Sequence, residues 1–384
     1  MKSCNVCHGN IDGPVYRSAR EVAITSLCEV RNTRIEVLFC RSCGHLQTEC
    51  LSDLSSYYDQ DYKILIDSED EDQLYAVIDG VKVFRADHQV STLVRKVKIP
   101  DGAKVLDYGC AKSSTLQRLL RLRPDLEPHV FDVSQMYLTF WHAFVPHANI
   151  ATYAPKAEWA GRFDLVTSFF ALEHVEAPSD LVKTVFGLLR PKGQFYCIVP
   201  NVYANKADFV VADHVNHFSA GSLLHLLYAA GFSTVSVDEG AHQSAWVVVA
   251  TKGDPDIGAM ERGEPLDALE GKVTEMVDYW QSFSERVEIF EVQHREVPRF
   301  AIYGSGFYGT FIASCLKDSS KLDCFLDQNP HRQRQQLLGK PILPPEQLPS
   351  DITVVFVGLN PRVSREGIQS VSAWQGKPHQ YFFP

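Results

Sequence analysis

Strand and helix patterns alternate through the middle of this 384-residue chain, and no other feature restricts its fold as strongly. Apolar stretches typical of strands lie at residues 103–107, 129–132 and 163–168, with helical spacing between the first two at 113–122. The Ser/Thr-rich start of that helix is suited to capping it. Because strands that alternate with helices build an open, mostly parallel sheet, we predict an α/β fold for this region.

The alternation extends to residue 250 and then begins again. Further helices and strands up to that point are predicted at residues 178–189, 193–199, 219–230, 234–238 and 245–250. A long helix with an apolar stripe follows at residues 266–292. The second region is predicted to contain strands at 300–303, 322–326 and 352–357 and a helix at 309–316. These elements indicate a second and smaller α/β domain.

Cysteines are concentrated at the start of the chain, where six of the ten lie within the first 50 residues. Cys4 and Cys7 form one Cys-x-x-Cys pair, and Cys40 and Cys43 form a second. Two such pairs place four thiolates at the corners of a tetrahedron, the arrangement that zinc prefers in closed structural sites. We therefore predict a structural zinc ion. Residues that could replace one of the four ligands are His8, His45, Cys28 and Cys50.

These patterns divide the chain into four segments. The segments are a zinc-binding module at residues 1–65, an α/β domain at 66–255, a linking helix at 256–298 and a smaller Rossmann-like α/β domain at 299–384. An acidic stretch at 67–72 is predicted to be a solvated connector or a helix start. Turn-forming residues at 253–258 indicate the boundary after the first α/β domain.

Charge and hydrophobicity exclude two classes of partner. The net charge is −10, from 37 basic and 47 acidic residues, and no basic stripe is present, which argues against nucleic acid. No apolar run approaches the ~20 residues of a membrane span, and the N-terminus has no apolar signal region. We therefore expect a cytoplasmic protein without a membrane partner. The oligomeric state is left open by the sequence.

A turn that contains glycine follows the first predicted strand, at residues 105–111. A glycine such as Gly109 lets a ligand approach the backbone closely, and a carboxylate at the tip of the next strand, here Asp132, can bind ribose hydroxyls. The third strand ends at the same edge of the sheet, near residues 168–170. The pattern therefore predicts a cofactor site at this edge.

Histidines and a carboxylate cluster just before the helix predicted at residues 219–230. Asp213, His214 and His217 lie within five residues, and His174 follows the third strand. An imidazole can remove a proton from an acceptor near neutral pH, and a carboxylate can orient the imidazole or raise its basicity. We therefore consider all four as catalytic residues, with His214 first. A purely structural hydrogen bond is the alternative for His217, and packing under the cofactor is the alternative for His174.

A second glycine-rich turn opens the C-terminal α/β domain. Gly304, Gly306 and Gly309 have the dinucleotide-binding spacing, and Asp327 ends the next strand. Three interpretations remain open at this point. The turn binds a nicotinamide cofactor, it binds a nucleotide moiety of the substrate, or its glycines only permit a tight strand-to-helix connection.

Taken in order, the strand ends read Leu-Asp-Tyr-Gly-Cys, Phe-Asp-Val-Ser, Phe-Asp-Leu-Val, Leu-Glu-His-Val, Leu-Leu-Arg-Pro-Lys-Gly and Val-Pro-Asn. This series resembles the class I S-adenosylmethionine-dependent methyltransferases over roughly residues 100–250. The resemblance implies S-adenosylmethionine as methyl donor. The residues expected to bind the donor are Asp107, Tyr108, Gly109, Cys110, Ala111, Asp132, Val133, Ser168, Phe169 and Phe170. Ala111 departs from the family, which usually has glycine there.

The order of four-cysteine module, methyltransferase domain and Rossmann-like domain resembles the sugar C-methyltransferases. That resemblance implies a nucleotide-linked sugar as acceptor, deprotonated by His214 next to a ketone. Val211 stands where that family has a tyrosine.

Three other functions are weighed against this one. The first is O- or N-methylation of a sugar or a small metabolite. The second is a non-catalytic nucleotide- or sugar-binding protein with a degenerate donor site. The third is a nicotinamide-dependent oxidoreductase that acts through the C-terminal turn.

Overall fold

A computed structural model describes residues 2–49, 57–64, 66, 68, 70–78, 80–254 and 263–384. Cys50 lies outside the described residues, as do parts of the acidic stretch and of the predicted boundary at 253–258. The chain divides into two compact units. Unit 1 contains residues 1–15, 36–208 and 213–271, and unit 2 contains residues 16–35, 209–212 and 272–384. The four-segment division of the chain stays a prediction.

The strands occur in the following order along the chain: β1 Lys2–Ser3, β2 Asn10–Ile11, β3 Pro14–Arg17, β4 Ala23–Ile24, β5 Val30–Arg31, β6 Glu36–Phe39, β7 Leu46–Thr48, β8 Leu74–Ile78, β9 Val81–Phe84, β10 Lys104–Tyr108, β11 Glu127–Asp132, β12 Ile150–Thr152, β13 Phe163–Phe169, β14 Leu189–Pro200, β15 Asn216–His217, β16 Phe232–Asp238, β17 Ala245–Lys252, β18 Phe300–Tyr303, β19 Leu322–Leu326, β20 Gln336–Leu337, β21 Lys340–Leu343, β22 Val354–Val357 and β23 Gln380–Phe382.

The α-helices are α1 Arg85–Lys96, α2 Ser114–Leu122, α3 Leu138–Trp141, α4 Pro178–Leu188, α5 Ala220–Ala229, α6 Leu266–Gln293, α7 Phe307–Cys315 and α8 Ser364–Gln369. Shorter helical turns that bear on the site are Tyr57–Asp61, Leu172–His174 and Lys206–Val210. None of the helices in the described part of the chain combines the length and apolar character that a bilayer crossing requires.

Unit 1 is built around a seven-stranded sheet with the order β12-β11-β10-β13-β14-β17-β16. The first five strands are parallel, and β17 runs antiparallel to both of its neighbours. The Rossmann-like α/β fold predicted from the strand–helix alternation is confirmed. Since the parallel strands begin in the middle of the sheet and proceed outward in both directions, the loops after β10 and β13 diverge at its carboxyl edge, where ligands of such sheets bind.

Helices cover both faces of this sheet because its parallel strands are apolar on both sides. On one face, Val90 and Leu93 of α1 and Leu116 of α2 pack against β10. On the other face, α4 and α5 pack with Leu181 and Leu223 as buried contacts. Ser219 caps α5 by a reciprocal bond with Ser222, as its sequence indicates. The expected cap of α2 is wrong, because the Ser113 side chain points to another partner described below.

A small antiparallel sheet carries the four-cysteine region of unit 1. Strand β7 pairs with β6 on one side and with β15 on the other. Strand β15 is Asn216–His217, a part of the predicted catalytic segment. The cysteine region and the histidine segment therefore share one backbone ladder, although about 170 residues separate them in the chain.

Unit 2 has its own six-stranded sheet, in the order β20-β21-β19-β18-β22-β23. Strands β18, β19, β21, β22 and β23 pair in parallel, and β20 is antiparallel to β21. The strand β18 and the helix α7 are joined by the second glycine-rich turn. This unit has the Rossmann-like α/β architecture expected for the C-terminal region.

Candidate functional site

The turn after β10 adopts a conformation that few non-glycine residues accept. Gly109 has φ +68°, Ala111 has φ +43° and Ser113 has φ +59°. The left-handed region costs L-residues about 1–2 kcal/mol each, and glycine escapes most of that cost. A Cβ at Gly109 would lie 2.9 Å from the Ala171 Cβ, so the turn has no room for a side chain there. The turn therefore keeps a glycine-type backbone shape at two positions where this chain lacks glycine.

Two buried carboxylates hold this turn. Asp107 accepts hydrogen bonds from Ser113 Oγ at 2.6 Å and Thr167 Oγ1 at 2.9 Å. Burial outweighs both bonds and raises the pKa of Asp107 to about 7. Asp132 accepts from the backbone N–H of Ala111 at 2.7 Å and of Ser134 at 3.2 Å, and burial raises its pKa as well. Each Asp132 oxygen keeps lone pairs for a further donor, because a carboxylate accepts about four hydrogen bonds.

The other predicted donor-binding residues differ in what they present to a ligand. Val133 is 47% exposed beside Asp132 and offers an apolar surface. Tyr108 turns its ring into the core against Phe131, and Ser168 is fully buried, so these two can contribute only backbone groups or positioning. Burial raises the pKa of the Cys110 thiol well above its usual value, which makes it inert.

Arg85 stands over the ring of Phe170, with its guanidinium carbon 4.6 Å from the ring centroid. Phe170 follows Phe169 at the end of β13 and has a positive φ of 54°. Burial lowers the pKa of Arg85, and the carboxylates of Asp72 and Glu173 act in the opposite direction. The guanidinium makes no side-chain ion pair among the described contacts, so it is suited to receiving an anionic group of a ligand.

The described residues between 57 and 72 (57–64, 66, 68 and 70–72) lie along the carboxyl edge of the sheet. Ser134 Oγ donates to the Asp59 carbonyl at 2.9 Å, and Tyr137 Oη donates to the Tyr62 carbonyl at 3.1 Å. Lys112, in the turn after β10, donates hydrogen bonds to the carbonyl oxygens of Ser68 and Glu71. These bonds bring residues from well before β10 over the predicted cofactor site. Nothing in the local sequence of this stretch predicts that position.

Asp208 organises the histidine segment. Its carboxylate lies 2.5 Å from His214 Nδ1 and 3.1 Å from His217 Nδ1. Burial alone would lower the pKa of His214, but the charge and hydrogen bond of Asp208, with Asp213 and Glu173, outweigh it and raise that pKa to about 9. The same pairing overcomes burial and holds the pKa of Asp208 well below its usual value.

His217 and His214 differ in the ring nitrogen that remains free. His217 is fully buried, and its Nε2 lies 2.7 Å from Thr48 Oγ1, so both of its nitrogens have partners. His214 shows a partner only at Nδ1 among the described contacts. Its ring meets that of His174 edge to face, with 4.7 Å between centroids. His214 is thus the histidine of this pair that can accept a proton from a ligand.

His174 belongs to a second buried group that includes Tyr58 and Asp213. The Tyr58 hydroxyl hydrogen-bonds His174 Nδ1 and lies 3.1 Å from the backbone oxygen of Asp213. His174 Nδ1 is itself 3.1 Å from that oxygen. Burial, helped by His214, lowers the pKa of His174 to about 4, so its ring is neutral. Asp213 therefore contacts His174 and Tyr58, whereas the carboxylate that orients His214 is Asp208.

Glu173 completes the cluster. A carboxylate oxygen of Glu173 and one ring nitrogen each of His174 and His214 lie within 4.8 Å of one another. Its Oε2 is buried and has no hydrogen-bond partner among the described residues, and burial raises the pKa of Glu173 to about 8.

The four predicted metal ligands come together in unit 1. Cys4 Sγ lies 3.7 Å from Cys43 Sγ, and Cys7 Sγ lies 3.5 Å from Cys40 Sγ. A tetrahedron with zinc–sulfur bonds of ~2.3 Å has edges of ~3.8 Å. The amide of Val6 also points at Cys4 Sγ. Spacing and donor type therefore fit a zinc ion.

The second glycine-rich turn is explained by packing within unit 2. A Cβ at Gly309 would lie 2.0 Å from the Gly304 carbonyl oxygen, and one at Gly304 would lie 2.4 Å from the Gly358 oxygen. Asp327 accepts hydrogen bonds from both the N–H and the hydroxyl of Ser305. These contacts favour the third interpretation of the turn, a tight strand-to-helix connection.

The sequence reasoning missed Tyr58, Arg85, Glu173 and Asp208. Glu173 and Asp208 carried some signal, since one precedes His174 directly and the other lies six residues before His214. Tyr58 and Arg85 precede the first strand of the central sheet, and only the tertiary structure brings them to the site.

Comparisons with known proteins agree with this geometry. Residues 84–237 match a family model described as a methyltransferase domain. The ubiquinone biosynthesis O-methyltransferase of Xanthomonas axonopodis pv. citri is 31% identical over 102 residues, which are 25% of this chain and 43% of the relative. The enzyme of the same description from Leptothrix cholodnii is 29% identical over 140 residues, 34% of this chain and 59% of the relative. The chain thus spans about half the length of the curated relatives it matches.

Solved structures of methyltransferases also resemble part of the chain. An S-adenosylmethionine-dependent methyltransferase from Mesorhizobium loti aligns with 43% of this chain and 98% of its own, at 19% identity and a TM-score of 0.35. A structure described as PigF with SAH aligns with 43% of this chain and 54% of its own, at 15% identity and a TM-score of 0.36. Residues 84–237 therefore match a methyltransferase-domain model, and the strand order of unit 1 is that of a Rossmann-like sheet.

Proposed function

We propose that this protein is an S-adenosylmethionine-dependent methyltransferase that uses His214 to deprotonate a small-molecule acceptor. The observation that carries the proposal is the buried pair of Asp208 and His214, which leaves Nε2 of His214 for the acceptor. A carboxylate bound to Nδ1 fixes the imidazole tautomer and stabilises the imidazolium that forms on proton transfer. The strand order supports the donor half of the reaction, because it places the turn with Gly109 and Asp132 at the ligand-binding edge.

The residues of the donor turn fit S-adenosylmethionine. Asp132 has lone pairs left for the ribose hydroxyls, and Gly109 carries no side chain that would keep a ligand away from the backbone of the turn. Val133 offers an apolar surface for the adenine. Arg85, above Phe170 and without an ion pair among the described contacts, is suited to the donor's carboxylate. When bound, S-adenosylmethionine supplies a methyl group that is already activated by its sulfonium.

The acceptor half of the site holds and moves one proton. His214 Nε2 takes the proton of the acceptor, while the Asp208 carboxylate balances the new charge on the ring. Neutral His174 and the Tyr58 hydroxyl border the same space and can hydrogen-bond an oxygen of the acceptor. His217 and Asp213 support this arrangement through their bonds to Asp208, His174 and Tyr58.

A nucleotide-linked sugar, methylated on the carbon next to a ketone, is the acceptor that we propose. The resemblance to the sugar C-methyltransferases supports it, and so does a base placed beside hydrogen-bond donors that would stabilise an enolate. A second candidate is transfer to oxygen, which the names of the curated relatives favour. The same pair of Asp208 and His214 would deprotonate a hydroxyl.

We also propose that Cys4, Cys7, Cys40 and Cys43 bind one structural zinc ion. The distances between their sulfur atoms and the buried positions of Cys4 and Cys40 support this assignment. With four thiolate ligands, the ion has no open position for water, so its contribution is to the fold of the cysteine region.

The proposed function is tested by separating donor binding from transfer. Calorimetry with S-adenosylhomocysteine should show binding to the wild type and to His214→Ala with similar affinity. Methyl transfer to a nucleotide-linked keto sugar should fall at least 100-fold in His214→Ala. NMR of the product distinguishes a methyl on carbon from one on oxygen. Unchanged transfer in His214→Ala would refute the role of this residue, and no donor binding by folded wild type would favour a non-catalytic protein.

The pH dependence of transfer should report His214. Because Asp208 raises the pKa of His214 to about 9, the free base becomes more abundant as pH increases, and the rate should rise from pH 7 towards that value. Asp208→Asn removes the charge that stabilises the imidazolium. Its rising limb should therefore move to lower pH while its plateau falls, and an unmoved limb would exclude His214 as the group observed.

A further inference from the structure

Asn216 uses its entire hydrogen-bonding capacity in the interior of unit 1. Its side-chain Oδ1 accepts from Asn5 Nδ2 and from His45 Nε2, both at 3.1 Å. Its Nδ2 donates to the carbonyl oxygens of Leu172 at 3.2 Å and Val175 at 2.6 Å. The residue is 1% exposed. A primary amide has two donors and two acceptor lone pairs, so all four positions are filled.

The partners of this amide come from two different parts of the molecule. Asn5 lies between Cys4 and Cys7, and His45 comes two residues after Cys43. The backbone N–H of Asn5 also donates to the side-chain oxygen of Gln47, the residue that pairs with Asn216 in the sheet. The cysteine region is therefore joined to Asn216 by side chains and by a backbone ladder.

The carbonyls on the other side flank the catalytic cluster. Leu172 and Val175 bracket Glu173 and His174. The helical turn Leu172–His174 is further joined to the histidine segment by a hydrogen bond from the Val215 backbone N–H to the Glu173 backbone carbonyl oxygen, at 2.7 Å. Asn216 itself lies two residues after His214 and directly before His217. The Asn216 side chain thus connects the turns of the proposed metal site with the loop of His174, and its backbone belongs to the segment of His214.

We propose that Asn216 is a positioning residue through which the four-cysteine site sets the relative placement of His174 and His214. The inference rests on the proposed function for the role of these histidines. It goes beyond it because it makes the metal-binding turns part of the catalytic arrangement. A bound ion fixes the turns that carry Asn5 and His45, the amide transmits their position to the carbonyls of Leu172 and Val175, and those carbonyls fix the loop of His174.

Other side chains cannot reproduce this link. Aspartate keeps the two acceptor positions towards Asn5 and His45 but has no donor for the two carbonyls. Leucine has similar size and satisfies none of the four partners. Because unpaired buried groups move to find new partners or water, each variant displaces a defined side of the connection. Asn5→Ala removes one bond on the cysteine side only and leaves the rest of the amide's partners in place.

His214 is the group whose environment reports the displacement. The ionisable groups that face it are Asp208 from the preceding helical turn, Asp213 of its own segment, and Glu173 and His174 from the loop after β13. Only the last two are held through Asn216, so a change at this residue alters part of the surroundings and leaves Asp208 in place.

The experiment compares full-length wild type, Asn216→Asp, Asn216→Leu, Asn5→Ala and the control Asn149→Ala. Asn149 donates one bond to the Pro128 carbonyl and lies in the connection before β12, away from the cysteines. Zinc content, S-adenosylhomocysteine affinity and the ¹⁵N imidazole NMR signals of His174 and His214 are measured without any acceptor. This choice separates a failure here from a failure of the proposed function, and rates of transfer are added where the acceptor is in hand.

For Asn216→Asp and Asn216→Leu we expect one zinc per chain, donor affinity within threefold of wild type, and displaced signals from both imidazoles, with transfer reduced at least 30-fold at an unchanged donor KM. Asn5→Ala should move the same signals in the same direction by less, and it tests the link if the other variants fail to fold. Asn149→Ala should match wild type. Unmoved imidazole signals in the folded Asn216 variants, or in Asn5→Ala alone if those do not fold, would overturn the proposal.

Discussion

Two glycine turns in this chain look alike in sequence and differ in what requires their glycines. The turn with Gly109 joins β10 to α2 in unit 1, and the turn with Gly304 and Gly309 joins β18 to α7 in unit 2. Each is followed by an aspartate at or just after the end of the next strand, Asp132 or Asp327. Each aspartate also accepts a backbone N–H from its own turn.

The two turns differ in what a side chain would contact if it replaced the glycine. In unit 2, a Cβ at Gly309 or Gly304 would meet backbone oxygen at 2.0 or 2.4 Å, so the fold alone demands glycine. In unit 1, a Cβ at Gly109 would meet, among the described residues, the methyl group of Ala171 at 2.9 Å and no backbone atom. The more complete glycine fingerprint thus has a structural explanation, whereas the degenerate one lies where a ligand is expected. Glycine spacing by itself does not distinguish these two cases.

The largest expected effect concerns the packing of the second turn. Gly309→Ala places a methyl group against a backbone oxygen, so we expect a loss of about 3 kcal/mol in the free energy of unfolding. Gly306→Ala is the matched control, because a Cβ at Gly306 would have no neighbour within 4 Å in the described part of the chain, and it should cost less than about 1 kcal/mol. Denaturant unfolding measures both. Equal stabilities of the two variants would remove the structural explanation of this turn.

Donor affinity should separate the two aspartates. Asp132→Ala removes a charged acceptor for the ribose and releases the Ala111 N–H, so S-adenosylhomocysteine should bind roughly 30- to 100-fold more weakly, about 2–3 kcal/mol. Asp327→Ala should leave that affinity within twofold. Calorimetry on both variants provides the comparison. A loss of donor binding in Asp327→Ala would mean that the donor binds at the second glycine turn instead of the first.

The pH dependence of stability should reveal the buried carboxylate beneath the first turn. The pKa of Asp107 is raised from 3.8 to about 7, so the folded state binds more protons than the unfolded state between these values. Stability should therefore decrease as pH rises from about 4 to 7, by roughly 3 kcal/mol, and become level above that range. Unfolding followed from pH 4 to 8 measures the slope. Asp107→Asn should reduce the slope and leave the part that comes from Glu173, whose pKa is also raised, and an equal slope in that variant would contradict the role of Asp107.

The smallest expected effect comes from restoring a glycine to the first turn. Ala111→Gly relieves a left-handed alanine with φ +43°, and after the added entropy of the unfolded chain it should stabilise the protein by about 0.5 kcal/mol. Ala103→Gly, a buried position without a positive φ, should destabilise it instead. A thermal melt of both proteins is sufficient. Destabilisation by Ala111→Gly would mean that the turn carries no strain at this residue.

Much of the fold followed from local patterns. The strands β10, β11 and β13 and the helices α2 and α4 lie within two residues of their predicted ends, because apolar periodicity reports burial directly. The prediction that the Ser113 side chain caps α2 is wrong because its hydroxyl donates instead to the buried Asp107 carboxylate, six residues earlier. Local sequence shows that Ser113 can cap a helix, but its contact with Asp107 in the tertiary structure determines where its hydroxyl points.

The candidate site was predictable only in part for the same reason. His214 and Asp132 were found because each lies at the end of a recognisable element. Asp208 was missed as the partner of His214, and the nearer Asp213 was considered instead, since sequence distance says little about which carboxylate a ring will face in a loop. Arg85 and Tyr58 gave no local signal, because a single arginine or tyrosine outside any motif resembles a surface residue.

The sequence by itself determined the periodic features of this protein: an α/β sheet, a glycine turn at its first strand, an acidic residue at its second, and two cysteine pairs with the spacing of a metal site. Such features depend on neighbours a few residues apart, whose geometry is fixed by the helix, strand or turn that contains them. Only the tertiary structure decided that Asn216 joins the cysteine turns to the loop of His174, and that Asp208 rather than Asp213 orients His214. Those pairings depend on how distant loops meet. Because buried polar groups need hydrogen-bond partners, the arrangement that satisfies all of them is selected.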